Sequence, residues 1–386
     1  MAKKGENITK RKDGRWEARI LVGYNEKGRA LYKSLYAKSY SEVKIKKLEY
    51  LTLFNMADEK RDKSSDVFDV VLSLFLQYKK YQVKESTFAC YTNIINKHIR
   101  PKLGWMKLAN IDSVILESFI NGKLNNGRID RLGGLSTKMV KDILTVLSLV
   151  LKYANKIGLM NTNQIHYSQP KVEKEEIEIF SIDEEIRITN FAVTNGDYQK
   201  FGVCLALYTG LRIGELCALR WKNIDLDNSL IFVKNTLMRI TDTDQSSKKK
   251  TKIIMDSPKT VAGKRAIPIP SFLLPKLQEL YGENKNDNDF FLTGTTKYIE
   301  PSNYYVKYKK WLRELNLTEH SFHALRHTFA TRCVESGFDI KTLSELLGHA
   351  DVNITLNRYV HSSLENKRAN MEKLFKFYQP SVSVSY

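Results

Sequence analysis

Apolar positions recur along the chain with two periods, and the switches between them mark its organisation. Near the N-terminus, Trp16 to Tyr24 and Ala30 to Tyr36 are β-rich runs that read as strands. Asn25-Glu26-Lys27-Gly28 joins them, and Asp13-Gly14 is a hairpin signal ahead of them. From Ser41 the spacing lengthens, and Val43, Ile45, Leu48, Leu51 and Leu53 predict a helix. A three-stranded sheet packed on one helix follows from this order. Residues 55–65 are polar and aperiodic, which predicts a linker.

Helical spacing then governs the next hundred residues. Val67, Val70, Val71, Leu74 and Phe75 form an apolar face on a helix capped by Asp66. A second helix begins at Ser86, carries Tyr91, Ile94, Ile95 and Ile99, and is stopped by Pro101. Helices over Asp112 to Ile120 and Ser136 to Ile157 complete a bundle, the last with Val140, Ile143, Leu144, Leu147 and Leu151 inward. Asn161 to Glu176, with Pro170, reads as a second, extended linker. Ser181 and Glu184 make a capping box that opens the final domain. There, Tyr198 to Tyr208 predicts a buried helix turned by Gly210. Short strands are expected at Leu230 to Val233, Ile253 to Met255 and Ala266 to Ile269, and a helix at Tyr304 to Leu315. The Ser-Val alternation after Pro380 suits an edge strand. The expected fold is mainly α with small antiparallel β-sheets, in three domains over 1–60, 65–168 and 175–386.

Charge adds a partner to this outline. The 386 residues carry a net charge of +19, with a pI near 9.5. Such an excess predicts a polyanion, and nucleic acid before membrane, since no apolar run reaches the length of a membrane span. Met1-Ala2-Lys3-Lys4 leads into polar sequence, not a signal peptide, and four scattered cysteines suit free thiols in a reducing cytoplasm. Arg11, Lys12 and Arg15 on the first hairpin are candidate DNA contacts, because a β-ribbon can enter a groove. Lys84 and Lys138 are further candidates, with Lys79, Lys80, Lys97, Lys102 and Lys141 on the helical bundle. Lysine-rich helix faces are usually only solvated, and that remains the plain alternative.

The candidate chemistry is concentrated near the C-terminus. Five of the seven histidines, 320, 323, 327, 349 and 361, lie in one segment. Ser321 caps a predicted helix that Gly337 ends, with Phe322, Leu325, Phe329 and Cys333 as its apolar stripe. His323, Arg326 and His327 share the flank beside it, in the first turns, where a helix favours anions. A second helix, from about Ile340, delivers His349 after Leu347-Gly348. His323 and His327 have the spacing of a zinc pair, but position 324 is Ala where a metalloprotease needs Glu. The cysteines at 90, 204, 217 and 333 show no metal-ligand spacing.

His323-x-x-Arg326, then Leu347-Gly348-His349, then Tyr359, resembles the C-terminal signature of the tyrosine site-specific recombinases. That signature has an upstream half, an Arg in a Thr-Gly-Leu-Arg motif, and Thr209-Gly210-Leu211-Arg212 matches it, with Glu215 three residues on. Between the halves, Ser257-Pro258-Lys259-Thr260 and the following Lys264 to Ile269 look like the family's lysine-bearing β-turn. The layout of the whole chain is similar to the integrases of phage lambda and of conjugative transposons.

Cleaving a phosphodiester without metal requires a nucleophile, charge compensation, a proton acceptor and an acid for the leaving 5′-oxygen. Tyr359 suits the first, because a phenol with a pKa near ~10 also leaves far more readily than an alkoxide. Arg212 and Arg326 suit the two non-bridging oxygens, since a guanidinium makes paired, permanently charged hydrogen bonds. The resemblance implies that Lys259 is the general acid, with Lys264 the alternative. His323 is expected to exchange a proton with the tyrosine and His349 to donate to a non-bridging oxygen. Glu215 would fix Arg212, either as a simple ion pair or as an orienting group. His320, His327 and His361 are expected to be supporting residues or bystanders. Tyr304, Tyr305 and Tyr308 rival Tyr359 only by chemistry, as none follows a Leu-Gly-His motif.

No cofactor is expected: the chain lacks Gly-x-x-x-x-Gly-Lys-[Ser/Thr], and a 3′-phosphotyrosyl intermediate would conserve the bond energy. The resemblance implies a mobile-element integrase acting on double-stranded DNA through core and arm sites, the first domain gripping the arm sites and the second being the core-binding bundle. It further implies a homotetramer on DNA, an excisionase-type directionality factor, a DNA-bending host protein and a nucleoid-associated place in a bacterial cytoplasm. The alternatives are a non-catalytic DNA-binding regulator, a chromosome-dimer resolving recombinase on the same scaffold, and a type IB-like topoisomerase.

Overall fold

The computed structural model describes residues 7–24, 30–47, 67–130, 132–161, 165–171, 177–194, 197–244, 247, 249–258, 261–282, 286–359, 368, 371 and 372. The chain divides into two compact units, Met1–Lys174 with Ile240–Lys250, and Glu175–Arg239 with Thr251–Tyr386. The predicted linker 55–65, the capping residue Asp66 and the C-terminal edge strand lie outside the described residues.

In the first unit, β1 (Ile8–Lys10), β2 (Trp16–Tyr24) and β3 (Ala30–Ala37) form an antiparallel sheet in that order. Gly14 takes φ +84° in the β1–β2 turn, as the Asp-Gly signal requires. Helical turns over 40–47 (α1) bury Val43 with Ile8, Ala18 and Ala37. The register alternates these residues with Glu17 and Arg19, so polar side chains take the opposite face. There the guanidiniums of Arg11 and Arg15 lie 5.5 Å from the ring centre of Tyr36, and Arg19 lies 4.8 Å from that of Tyr32.

The helices of this unit are α2 (Phe68–Lys79), α3 (Glu85–Ile94), α4 (Arg100–Leu103), α5 (Ser113–Asn126) and α6 (Thr137–Lys156). Phe68, Leu72, Phe75, Ile95, Leu116, Ile143 and Leu147 meet in their core. Asp112 and Ser136 cap α5 and α6 by accepting from Ile115 N–H and Met139 N–H at 2.8 and 3.2 Å. Pro101 does not stop its helix. Ile95–Ile99 widens into a π-turn, and Pro101 falls in the first turn of α4. A proline ring collides with the carbonyl four residues back, and a widened turn followed by a fresh helix start removes that conflict.

In the second unit, the capping box forms as the sequence predicts. Ser181 N–H donates to Glu184 Oε2 at 2.8 Å and Glu184 N–H to Ser181 Oγ at 3.3 Å. Its helices are α7 (Ile182–Thr194), α8 (Tyr198–Thr209), α9 (Ile213–Cys217), α10 (Leu274–Tyr281), α11 (Pro301–Glu314), α12 (Phe322–Glu335), α13 (Ile340–Leu347) and α14 (Val352–Tyr359). β4 (Ile224–Asp225), β5 (Leu230–Val233) and β8 (Arg265–Pro268) form an antiparallel sheet, ordered β4-β5-β8. β6 (Thr236–Thr241) and β7 (Thr251–Asp256) make a two-stranded ribbon. β4 and β6 are absent from the sequence reading, because two residues and a Thr-rich half-buried run carry little periodicity.

Helix α8 is buried nearly all round, which its unbroken apolar run allows. Helix α12 crosses the same core, with Phe322, Ala324, Leu325, Arg326, His327 and Thr328 buried. Thr328 Oγ1 accepts from Phe180 N–H at 2.9 Å, while Arg332 donates to Phe180 O at 2.9 Å and to Glu185 Oε1 at 2.7 Å. These bonds tie α12 to the start of α7. Burying polar groups is costly unless they are paired, so the remaining buried Arg and His on α12 call for partners.

Candidate active site

The partners are supplied by four chain turns that converge on α12. The first follows α8. Gly210 takes the left-handed conformation, φ +65°, and a Cβ there would stand 2.7 Å from the Phe329 ring. This turn makes Arg212 the N-cap of α9. Glu215 reaches back to Arg212 N–H at 3.1 Å and to Nη1 at 2.8 Å, so the carboxylate holds both ends of the arginine. Arg212 keeps 37% of its side chain exposed.

The second turn leads into β8, whose first residue is Arg265. Its guanidinium donates to both oxygens of Glu215, and its Nε to Leu346 O at 2.6 Å. Burial alone would raise the Glu215 pKa. The hydrogen bonds and charge of Arg265, then of Arg212, outweigh it and hold the carboxyl at about 2. Arg265 lies within the Lys264 to Ile269 stretch, and nothing in the local pattern marks it as the partner of Glu215. Lys264 is exposed one residue ahead of the strand. Lys259 lies outside the described residues.

The third turn ends α13. Gly348, again at φ +65°, turns the chain so that His349 faces Arg326. Arg326, 1% exposed, donates from Nη1 to Gly210 O at 2.8 Å and from Nη2 to Leu347 O and His349 Nε2 at 2.5 and 3.0 Å. A guanidinium has five N–H groups and can only donate. Its Nε–H and second Nη1–H therefore remain without an acceptor among the described residues. His349 Nε2 must be the accepting nitrogen, so its proton sits on Nδ1, 2.8 Å from buried Thr355 Oγ1. Burial, then Arg212 and Arg265, lower the Arg326 pKa, though a guanidinium stays charged at neutral pH.

The fourth element is α14, which ends on Tyr359, 8% exposed. Its hydroxyl meets His327 Nδ1 at 2.6 Å, and Arg358 Nη2 lies 3.0 Å from His327 Nε2. Burial raises the Tyr359 pKa, against Arg326, Arg358 and Arg212, which lower it. His323 makes no hydrogen bond to the phenol. Its ring stands edge-on to His327 with centres 4.5 Å apart. His327, expected to be a supporting residue or bystander, is thus the one that touches the tyrosine. Its i,i+4 spacing from His323 was the available signal.

Desolvation, followed by Arg326, Arg358 and Arg212, holds His323 at about 4. Desolvation, followed by Arg326, holds His349 at about 4. Desolvation, followed by His323 and Arg358, holds His327 at about 3. All three are neutral at pH 7. The described site holds four guanidiniums (Arg212, Arg265, Arg326 and Arg358) and one carboxylate, so it carries excess positive charge. Such a site fits a phosphate diester.

The other candidates fall elsewhere. His320 pairs with Glu178 at 3.3 Å and stacks edge-on against Phe180, while His361 lies outside the described residues. Tyr304 and Tyr308 are fully buried in the core, and their hydroxyls donate to Gln199 O at 2.6 Å and Ser321 O at 3.4 Å. In the first unit Arg15 is doubly bonded to Asp13, and Arg11 pairs with Glu17 at 3.1 Å. Lys12 and Lys138 are exposed, and Lys84 is the N-cap of α3.

Comparison with known proteins places the chain in a family. Residues 178–366 match the phage integrase family, and residues 67–124 match the phage integrase N-terminal SAM-like domain. A XerC-like tyrosine recombinase of Caldanaerobacter subterraneus subsp. tengcongensis is 30% identical over 397 residues, covering 97% of this chain and 99% of its own. Among solved structures, the transposon Tn1549 integrase in complex with transposon right end DNA superposes with a TM-score of 0.64 at 23% identity, covering 79% of this chain and 99% of that one. The lambda integrase tetramer bound to a Holliday junction superposes with a TM-score of 0.53 at 16% identity, covering 94% and 99%. The chain belongs to the phage integrase family of tyrosine recombinases, enzymes that break and rejoin DNA strands.

Proposed function

We propose that this recombinase performs integrase-type strand exchange for a mobile element, with Tyr359 as nucleophile and Arg212, Lys259, His323, Arg326 and His349 around the scissile phosphate. The observation that carries the reading is the convergence of Arg212, His349 and Tyr359, from three separate chain segments, beside Arg326 of α12 in one cluster with an unmet positive charge.

In this reading the Tyr359 oxygen attacks phosphorus and the bond to the 5′-oxygen breaks. The phenol proton passes to neutral His323, and Lys259 protonates the departing 5′-hydroxyl. Arg212 and the free N–H groups of Arg326 compensate the charge on the non-bridging oxygens. Removing one such preorganised donor typically raises the barrier by about 3–4 kcal/mol. His349 Nε2 accepts from Arg326 without DNA and becomes a donor to phosphate once protonated. The phosphotyrosyl bond keeps the energy needed to rejoin the strand.

The same reading assigns 1–60 to arm-type sites, 65–168 to the core site and 175–386 to catalysis. The Arg-on-Tyr face of β2 and β3 supports the first assignment. The tetramer on a Holliday junction seen for lambda integrase supports a homotetramer here. Direction control by an excisionase-type factor, bending by a host protein and work at the bacterial nucleoid complete the proposal. No described helix is long and apolar enough to cross a membrane.

The test is trapping on a nicked suicide duplex. Wild type should give a covalent protein–DNA band that Tyr359→Phe lacks. A band that persists in the variant would move the nucleophile elsewhere. Firm binding with no band from either protein would favour a regulator.

A further inference from the structure

We propose that His327 is a positioning residue for the nucleophile: it donates from Nδ1 to the Tyr359 oxygen, and Arg358 locks the tautomer that makes this possible. The inference rests on Tyr359 being the nucleophile.

Proton counting fixes the direction of both bonds. Arg358 Nη2 lies 3.0 Å from His327 Nε2, and a guanidinium has no lone pair to offer. His327 Nε2 must therefore accept, which places the single ring proton of a neutral imidazole on Nδ1. That proton points at Tyr359 Oη, 2.6 Å away. The phenol oxygen is then an acceptor, and its own proton must leave toward another group. His327 is thus excluded as the base in this arrangement. It stabilises the phenolate that forms when a different acceptor takes the proton.

The surroundings keep His327 in that role. The ring is 6% exposed, and His323, Arg358, Arg326 and His349 all disfavour a second proton on it. Tyr359 itself faces Arg326 on α12, Arg358 on α14 and Arg212 at the start of α9. These cations favour phenolate by charge, whereas among the described residues His327 is the one that fixes the direction of its lone pairs. A hydrogen bond to a charged group contributes about 1.5–3 kcal/mol, which corresponds to about 10- to 100-fold in rate. Arg358 adjoins Tyr359 in sequence, so one turn of α14 carries both the nucleophile and the key to its partner's tautomer.

The test is single-turnover cleavage of the nicked suicide duplex by the full chain across pH. Wild type, Tyr359→Phe, His327→Leu, His327→Asn and Arg358→Met are compared. Each is also assayed on a duplex whose scissile 5′-oxygen is replaced by sulfur, a leaving group that needs no acid. Leu fills the ring's space without a donor, and should slow cleavage about 10- to 100-fold, shift the pH–rate profile to higher pH and leave DNA affinity unchanged. The sulfur substrate should not rescue it, because the defect lies in the nucleophile. Asn places an N–H near the Nδ1 position and should recover most of the rate. Arg358→Met, at an exposed position, frees the tautomer and should show part of the same alkaline shift.

Wild-type rates from His327→Leu at every pH, with Tyr359→Phe inactive, would overturn the assignment of His327 alone. So would full rescue by the sulfur substrate, or His327→Asn no faster than His327→Leu. Adduct formation by Tyr359→Phe would overturn the nucleophile and this inference with it.

Discussion

Arg265 meets Glu215 through two hydrogen bonds, Nη2 to Oε2 at 2.9 Å and Nη1 to Oε1 at 3.1 Å, with side chains 5% and 4% exposed. Glu215 in turn holds Arg212, which is 37% exposed. The trio therefore has a structural end and a working end. Arg265→Met removes the buried counter-charge of Glu215, leaving it only the half-exposed Arg212, and should cost up to about 3–5 kcal/mol of stability, read as a lower melting temperature. Arg212→Met removes only a half-exposed pair and should cost at most about 1 kcal/mol. It should nonetheless slow DNA cleavage by about 100-fold or more. Equal melting losses in the two variants would contradict this division.

The working end was legible in the sequence because it is local. Gly210, Arg212 and Glu215 lie within six residues, and a left-handed glycine followed by an N-cap and its i+3 partner fixes their geometry. The first turns of α12 were legible for the same reason. The structural end was not. Arg265 finds Glu215 across 50 residues of sequence, and Tyr359 finds His327 across 32, through contacts that no periodicity encodes. The π-turn at Ile95–Ile99 was hidden too, since Pro101 reads as a stop when its neighbours' adjustment is unseen.

Acid should unfold the second unit in two overlapping steps. His327 has a folded pKa of about 3 against an ordinary 6.5, so its neutral form contributes stability above pH 6.5 that is lost as pH falls through and below that value. Glu215, at about 2 against 4.5, contributes stability above pH 4.5 that is lost as pH falls toward 2. Both slopes have the same sign: the unfolded chain binds more protons. Denaturant midpoints measured from pH 8 to pH 3 should decline from about pH 6.5 downward. In His327→Leu the decline above pH 4.5 should be shallower. An unchanged slope in that variant would place the linkage on other groups.

Gly210 separates backbone strain from crowding. Gly158 has a similar φ of +75°, with nothing within 4 Å of an added Cβ, whereas at Gly210 the Cβ would meet Phe329 at 2.7 Å and Leu347 at 3.1 Å. Gly158→Ala should cost about 1–2 kcal/mol, the ordinary cost of the left-handed conformation. Gly210→Ala should cost more and should also depress cleavage, because Gly210 O is an acceptor for Arg326. Equal melting shifts for the two substitutions would show that Phe329 and Leu347 give way freely.

DNA binding should take up protons. Without DNA, desolvation and Arg326 hold His323 and His349 at about 4, so both are neutral at pH 6 to 7. A phosphate seated among these groups brings negative charge against the His349 ring and raises its pKa. Linkage then requires that affinity increase as pH falls from 7 toward 5, where His349 is still unprotonated in the free protein but not in the complex. Calorimetric titration in buffers of different ionisation enthalpy reads the proton number directly. It should be positive at pH 6 and reduced in His349→Leu, and added salt should weaken affinity, since phosphate contacts release counterions. A proton number of zero for the wild type at pH 6 would mean that the phosphate binds out of reach of His349 and would overturn its role as a donor.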